Sequence, residues 1–126
     1  MNKVIHFELS TEDPERITKF YSNVFGWKAS KWDGPMDYWL VSTGPEDEAG
    51  IDGAFMLRSE TDKRLEKSAL ITIGVSSVDE SLEKIKSNGG KIIMPKTAIP
   101  GMGYSASFED SEGNIVAIMQ NDPSAK

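Results

Sequence analysis

VIHFELSTEDPERITKFYSNVFGW, residues 4–27, reads as a strand, a turn, a helix and a glycine-aromatic exit. Val4, His6 and Glu8 alternate with Ile5, Phe7 and Leu9. This period of two puts the only histidine and an acid on one face and three large apolar side chains on the core face. After Thr11-Glu12-Asp13, Pro14 suits the first helical position with Asp13 as cap. Ile17, Phe20, Tyr21 and Val24 follow at i, i+3, i+4 and i+7, which predicts an amphipathic helix packed on that strand.

Downstream, Lys28 to Trp32 and Met36 to Thr43 read as strands joined through a turn at Asp33-Gly34-Pro35. Gly44 to Gly50 is a polar loop. Ile51 to Leu57 is a fourth strand, with a bulge or a close ligand approach expected at Gly53. Arg58 to Lys67 carries seven charged residues in ten and suits a solvated connector. The pattern then repeats. Ala69 to Val75 is a strand with Ile71, Ile73 and Val75 on one face and Leu70, Thr72 and Gly74 on the other. Ser77 to Glu80 forms a capping box, Val78, Leu82 and Ile85 mark a helix, and Gly89-Gly90 ends it. Lys91 to Lys96, Gly103 to Glu109 and Asn114 to Gln120 are three further strands, and Asn121 to Lys126 reads as a loose tail. Lys19-Phe20 and Ser22-Asn23 recur as Lys84-Ile85 and Ser87-Asn88, an offset of 65 residues.

The expected fold is therefore α+β, a single domain over residues 1–126 built from two βαβββ modules. Module one covers about 1–58, the connector 59–67 and module two about 68–121. If the faces opposite the helices curl toward one another, the mixed sheet is cup-shaped with the helices outside, and its concavity is the natural ligand site. Two α+β sandwiches packed edge to edge, with no open cavity, satisfy the same pattern.

Composition excludes several function classes. A chain of 126 residues has length for one real core, and a net charge of −6 lacks the basic face that nucleic acid requires. With no cysteine there is no disulfide framework and no thiolate nucleophile. No apolar run approaches a membrane span, and MNKVIHFELS has no signal-peptide core, so a cytoplasmic protein is expected. The glycines at 89–90 and 101–103 are turns, because neither pair opens a helix in the manner of a phosphate loop. No G-x-S-x-G elbow is present.

Three stretches taken in order resemble one family. They are H-x-E-L followed by D-P-E-R-x-x-x-F-Y-x-x-V-F-G-W, then V-D-E-S-L-E-K-I-K-x-N-G-G-K, and finally F-E-D-S-E-G-N-I-V. Nearly the whole chain is similar to the vicinal-oxygen-chelate superfamily, which includes lactoylglutathione lyase, extradiol dioxygenases and bleomycin-resistance proteins. The resemblance implies a cup that binds a divalent metal through side chains of its first, fourth, fifth and eighth strands, and it implies a homodimer. His6 occupies the first ligand place, whereas Leu70 and Ala117 stand at the fifth-strand and eighth-strand places and cannot coordinate. Asp52 is the one acid near the fourth.

These positions lead to a glyoxalase-like protein that binds a small molecule in its cup without a metal or other cofactor. The candidate ligand-binding residues are His6, Glu8, Trp39, Phe55, Leu70, Thr72, Tyr104, Ala117 and Met119. Trp39, Phe55 and Tyr104 are expected at the mouth, while Trp27, Trp32 and Tyr38 are assigned to core or dimer interface. Two alternatives are a diverged lyase or isomerase with His6 and Glu8 as its acid-base pair, with or without a weakly bound metal, and a non-catalytic structural or interaction subunit. A small-molecule ligand and a second copy of the chain are the expected partners, with no nucleic acid and no membrane. Elemental analysis of the purified protein is expected to find no stoichiometric zinc, nickel, manganese or iron. Close to one metal per chain, lost in His6→Ala, would reverse that expectation.

Overall fold

The computed structural model describes residues 1–126 and shows an α+β fold with eight strands and two helices. The chain divides into two compact units, His6–Leu70 and a second one made of Ile71–Lys126 with Met1–Ile5. We call these the N-terminal and C-terminal units. Neither helix is long and apolar enough to cross a membrane.

In the N-terminal unit, β1 (Val4–Thr11, entering at His6) leads to α1 (Pro14–Phe25), followed by β2 (Lys28–Lys31), β3 (Tyr38–Ser42) and β4 (Gly53–Leu57). The strand order is β2-β3-β4-β1, with β1 parallel to β4 and the other pairs antiparallel. Asp13 caps α1 by accepting the Arg16 amide at 3.1 Å, Pro14 occupies the first turn, and Gly26 closes the helix at φ +74°. Both ends follow from residue chemistry: an Asp cap takes up an orphan amide, and only glycine enters the left-handed region without strain.

The helix does not pack as its spacing suggests. Ile17 and Tyr21 are half-buried, whereas Phe20, Val24 and Phe25 are 56, 56 and 62% exposed, and α1 rests chiefly on β2 and β4. Tyr21 stacks on Trp27 at 4.6 Å and tilts against Phe55 at 5.8 Å, and Trp27 meets Phe7 at 5.6 Å. Phe55, 1% exposed, is the centre of this core.

β4 begins at Gly53 and not at Ile51, because the two preceding residues close the loop instead of pairing. The Ile51 carbonyl accepts from Thr43 Oγ1 at 2.7 Å, and Asp52 Oδ1 accepts the Thr43 amide at 2.9 Å. Gly53 itself pairs regularly with Phe7 and Val41, so it is not a bulge. Its missing Cβ would lie 2.6 Å from the Phe7 ring. The charged connector contains two 3-10 turns, Arg58–Glu60 and Lys63–Leu65, and is tied to β1 where Ser10 Oγ donates to the Glu66 carbonyl at 2.6 Å.

The C-terminal unit repeats the topology: β5 (Ala69–Gly74, entering at Ile71), α2 (Val78–Ser87), β6 (Lys91–Ile99), β7 (Gly103–Glu109) and β8 (Ile115–Asn121), in the order β5-β8-β7-β6 with β5 parallel to β8. Its core joins Val75, Val78, Ala106 and Ile118, with Ile73, Leu82, Ile85, Tyr104 and Phe108 packed against them. Half of the expected capping box forms, Ser77 accepting the Glu80 amide, while the Val78 amide goes to Gln120 Oε1 at 2.9 Å. β6 runs three residues past Lys96 because two register shifts, flanking Met94, leave Pro95 unpaired on an edge strand, where it costs no ladder bond. The tail is not loose. Ala125 is buried and its carbonyl accepts the Gly101 amide at 2.8 Å.

Gly53→Ala is expected to destabilise the protein by about 1–3 kcal/mol through overpacking against Phe7, outweighing the fraction of a kcal/mol that Ala normally gains over Gly in a strand. Urea denaturation checks this, and adding Phe7→Leu is expected to restore part of the loss.

Candidate functional site

Pairing register decides which side chains share a face. Partners across a ladder point the same way, so Glu8↔Ala54↔Leu40 and Ser10↔Met56↔Tyr38 lie on one face of the N-terminal unit, together with His6. Leu9↔Phe55↔Trp39 and Phe7↔Gly53↔Val41 lie on the other, beneath α1.

On the first face three polar side chains form a chain of hydrogen bonds. His6 Nε2 and the Tyr38 hydroxyl are 2.8 Å apart, and that hydroxyl donates to Glu8 Oε2 at 3.0 Å. To reach β1 from β3, Tyr38 must span two strand spacings, about 10 Å. The intervening strand carries Met56 opposite Tyr38 and the small, fully buried Ala54 opposite Glu8. Trp32 steadies the phenol: its ring meets Tyr38 edge-on at 6.0 Å and its amide donates to the Tyr38 carbonyl at 2.8 Å. Gly34 lies so close to the Trp32 ring that no Cβ fits there.

Burial sets the electrostatics. It holds His6 below its ordinary 6.5, the charge of Asp52 opposing, and raises Glu8 above its ordinary 4.5, the bond from Tyr38 opposing. The Tyr38 hydroxyl is pushed far above the usual phenol range by burial, then by the Glu8 charge and by its bond to Glu8. The phenol therefore stays protonated, and the two ionisable ends of the chain move toward each other.

Of the sequence-derived candidates, His6 and Glu8 come together, and Tyr38, assigned to core or interface, joins them. The alternation of β3 held the signal: Trp39 and Val41 share the apolar parity of Phe55, which leaves Tyr38 on the face of His6. Phe55 and Trp39 thus lie off the His6 face. Both stand on the α1 side, Phe55 as core and Trp39 beside Lys31, whose ammonium is 5.8 Å from its ring. Tyr104 pairs with Gln120 and packs on the α2 core, with Lys96 Nζ 4.5 Å from its ring. Thr72 pairs with Ala117 and Gly74 with Met119, which gives Thr72, Ala117 and Met119 a common face within the C-terminal unit. Leu70 is half-buried.

Two concavities of the N-terminal unit lie elsewhere. One of about 180 Å³ is formed by Thr43–Gly50 and Asp52, and an open groove of about 1040 Å³ runs between α1 and Ala29, Lys31 and Trp39. His6 and Glu8 line neither.

The donor set does not fit a divalent metal. No three of the chain's His, Asp and Glu residues are grouped to hold an ion. His6 Nε2 and Glu8 Oε2 are engaged by Tyr38, Asp52 is exposed and closes its own loop through Thr43, and Leu70 and Ala117 offer no donor atom.

The sequence profile of the Glyoxalase/Bleomycin resistance protein/Dioxygenase superfamily matches residues 3–118. A glyoxylase-like domain-containing protein of Didymella fabae is 30% identical over 88% of each chain. Lactoylglutathione lyase of Salmonella typhimurium is 26% identical over 94% of this chain and 92% of its own. Among solved structures, methylmalonyl-CoA epimerase from Mycobacterium tuberculosis shares the fold with a TM-score of 0.70 at 14% identity, covering 95% of this chain and 88% of that one. A methylmalonyl-CoA epimerase in complex with methylmalonyl-CoA and NH4+ superposes with a TM-score of 0.72 at 11% identity, over 100% and 99%.

The shifts of His6 and Glu8 have opposite consequences for stability. Glu8, raised, holds its proton in the native state above 4.5, so its stabilising contribution is lost as pH rises through its folded value. His6, lowered, contributes stability above 6.5 that is lost as pH falls through its folded value. Glu8→Gln removes the first effect and keeps the second. Its stability relative to the unsubstituted protein is expected to improve as pH rises above 4.5 in chemical denaturation. A difference that does not change with pH would contradict the raised Glu8.

Proposed function

The chain belongs to the Glyoxalase/Bleomycin resistance protein/Dioxygenase superfamily, and on that premise we propose that it binds a small organic molecule against its His6–Glu8–Tyr38 face, with side chains and not a metal ion making the polar contacts. The observation that carries this reading is the hydrogen-bonded chain itself. It fixes three polar groups on a half-buried face and engages the donor atoms a metal would need, yet leaves His6 Nδ1 and Glu8 Oε1 without a partner inside the protein. Half-buried polar atoms held in fixed positions are the usual means by which a mostly apolar surface orients a ligand. Leu40, on the same face and substantially exposed, adds apolar area.

A second reading is favoured by the convergence of the His6 and Glu8 proton affinities. In it His6 Nδ1 is a general base, Tyr38 and Glu8 hold the ring and share the positive charge it gains, and the protein is a diverged lyase or isomerase. Relatives named as a lyase and epimerases are compatible with this reading. A homodimer belongs to both readings, supported by the exposed apolar side of α1 at Phe20, Val24 and Phe25.

Thermal melting against a panel of small metabolites, with chelator present, tests the binding reading. A ligand at a hundred times its Kd is expected to stabilise the protein by about 2.7 kcal/mol, and His6→Ala or Tyr38→Phe to reduce that. Stabilisation seen only after a divalent metal is restored would refute metal-independent binding.

A further inference from the structure

The hydrogen atoms at Tyr38 can be counted. A phenol carries one hydrogen and a carboxylate, once ionised, only accepts, so with Glu8 ionised the Tyr38 hydroxyl directs its hydrogen at Glu8 Oε2. The oxygen of Tyr38 must then accept from His6 Nε2, 2.8 Å away, and that nitrogen carries a hydrogen. A neutral imidazole protonated at Nε2 has a bare lone pair at Nδ1. Glu8 Oε1 is a second bare acceptor. The face therefore offers a ligand two acceptors from this group and no donor, because the only two hydrogens in it are already bound.

We infer that the His6–Glu8–Tyr38 face selects a cationic, hydrogen-bond-donating head group, a primary ammonium or an amidinium, and rejects carboxylates and phosphates; this rests on reading the face as a ligand site. The surrounding charge agrees. No lysine or arginine forms an ion pair with Glu8; Arg58, whose Nε lies 3.4 Å from Ser10 Oγ on the same face, is paired with Glu12; Asp52 bears on His6 as a further negative charge, and the chain as a whole is at −6. An oxyanion set against these acceptors meets lone pairs and a carboxylate with no hydrogen between them, a repulsive arrangement that discriminates as strongly as any attraction. An ammonium places one N–H on Glu8 Oε1 in a charge-assisted bond and another on His6 Nδ1.

Matched probes test this on the full chain at about pH 8, well above the ordinary carboxylate value and on the neutral side of imidazole, with the ionisation of Glu8 checked by carbon-13 NMR. Calorimetry with benzylamine and benzamidine is compared with benzoate and phenyl phosphate, and nitrogen-15 NMR reads the His6 tautomer. The cations are expected to bind at least about tenfold more tightly than the anions. Glu8→Gln, which turns one bare acceptor into a donor, is expected to erase that preference, and NMR to show the hydrogen on Nε2. Tighter binding of benzoate or phenyl phosphate, abolished by His6→Ala, would overturn the inference while leaving the face a ligand site. A hydrogen found on Nδ1 would overturn it without any ligand. If no probe binds and none moves the His6 resonances, the inference and the ligand-site reading fall together.

Discussion

Successive residues of a strand face opposite ways, and in the N-terminal unit the pairing of β1, β4 and β3 turns that alternation into a rule that every side chain obeys. Once Leu9 stands beside Phe55 and Phe55 beside Trp39, those three belong under α1. His6, Glu8 and Tyr38 are then left together on the other side. A slip of one residue in any of these ladders would exchange the two sets, exposing Phe55 and burying a carboxylate beneath a helix. The aromatic core and the polar chain are thus consequences of one register, and neither exists without it.

That register is held by close fits more than by strong bonds. Gly53 leaves the space that the Phe7 ring fills. Gly34 lets the backbone lie close to Trp32, which in turn meets the edge of Tyr38. Small residues here serve the large ones beside them. A side chain added at either glycine would press on a ring, and close-packed interiors tolerate such additions poorly.

The chemistry of the face also depends on its degree of burial. Full exposure would return His6 and Glu8 to their ordinary behaviour, and full burial would leave their open atoms without partners. Half-buried, the two groups are drawn toward each other in proton affinity and still reach solvent. Tyr38 couples them without ionising, because burial, then the Glu8 charge and the bond to Glu8 hold its hydroxyl in the protonated form.

Local physics made much of the molecule legible in residue order. Asp13, Pro14 and Gly26 mark the ends of α1 because capping, a fixed φ and freedom at positive φ are properties of single residues and their immediate neighbours. The alternation from Val4 to Leu9 placed His6 and Glu8 on one face for the same reason, and the recurrence at an offset of 65 announced a repeated βαβββ unit. What could not be read locally was anything that depends on which strand lies beside which. Trp39, Phe55 and Tyr104 looked like ligand platforms because they are large and aromatic, but their faces are set by cross-strand pairing, a relation between residues far apart in the chain. Phe20 and Val24 have the spacing of core residues yet are exposed, because the way α1 settles on β2 and β4 decides which part of its apolar arc is covered. Tyr38 entered the site for the same cause: the pairing of β1 and β3 with β4 puts it on the face of His6 and Glu8.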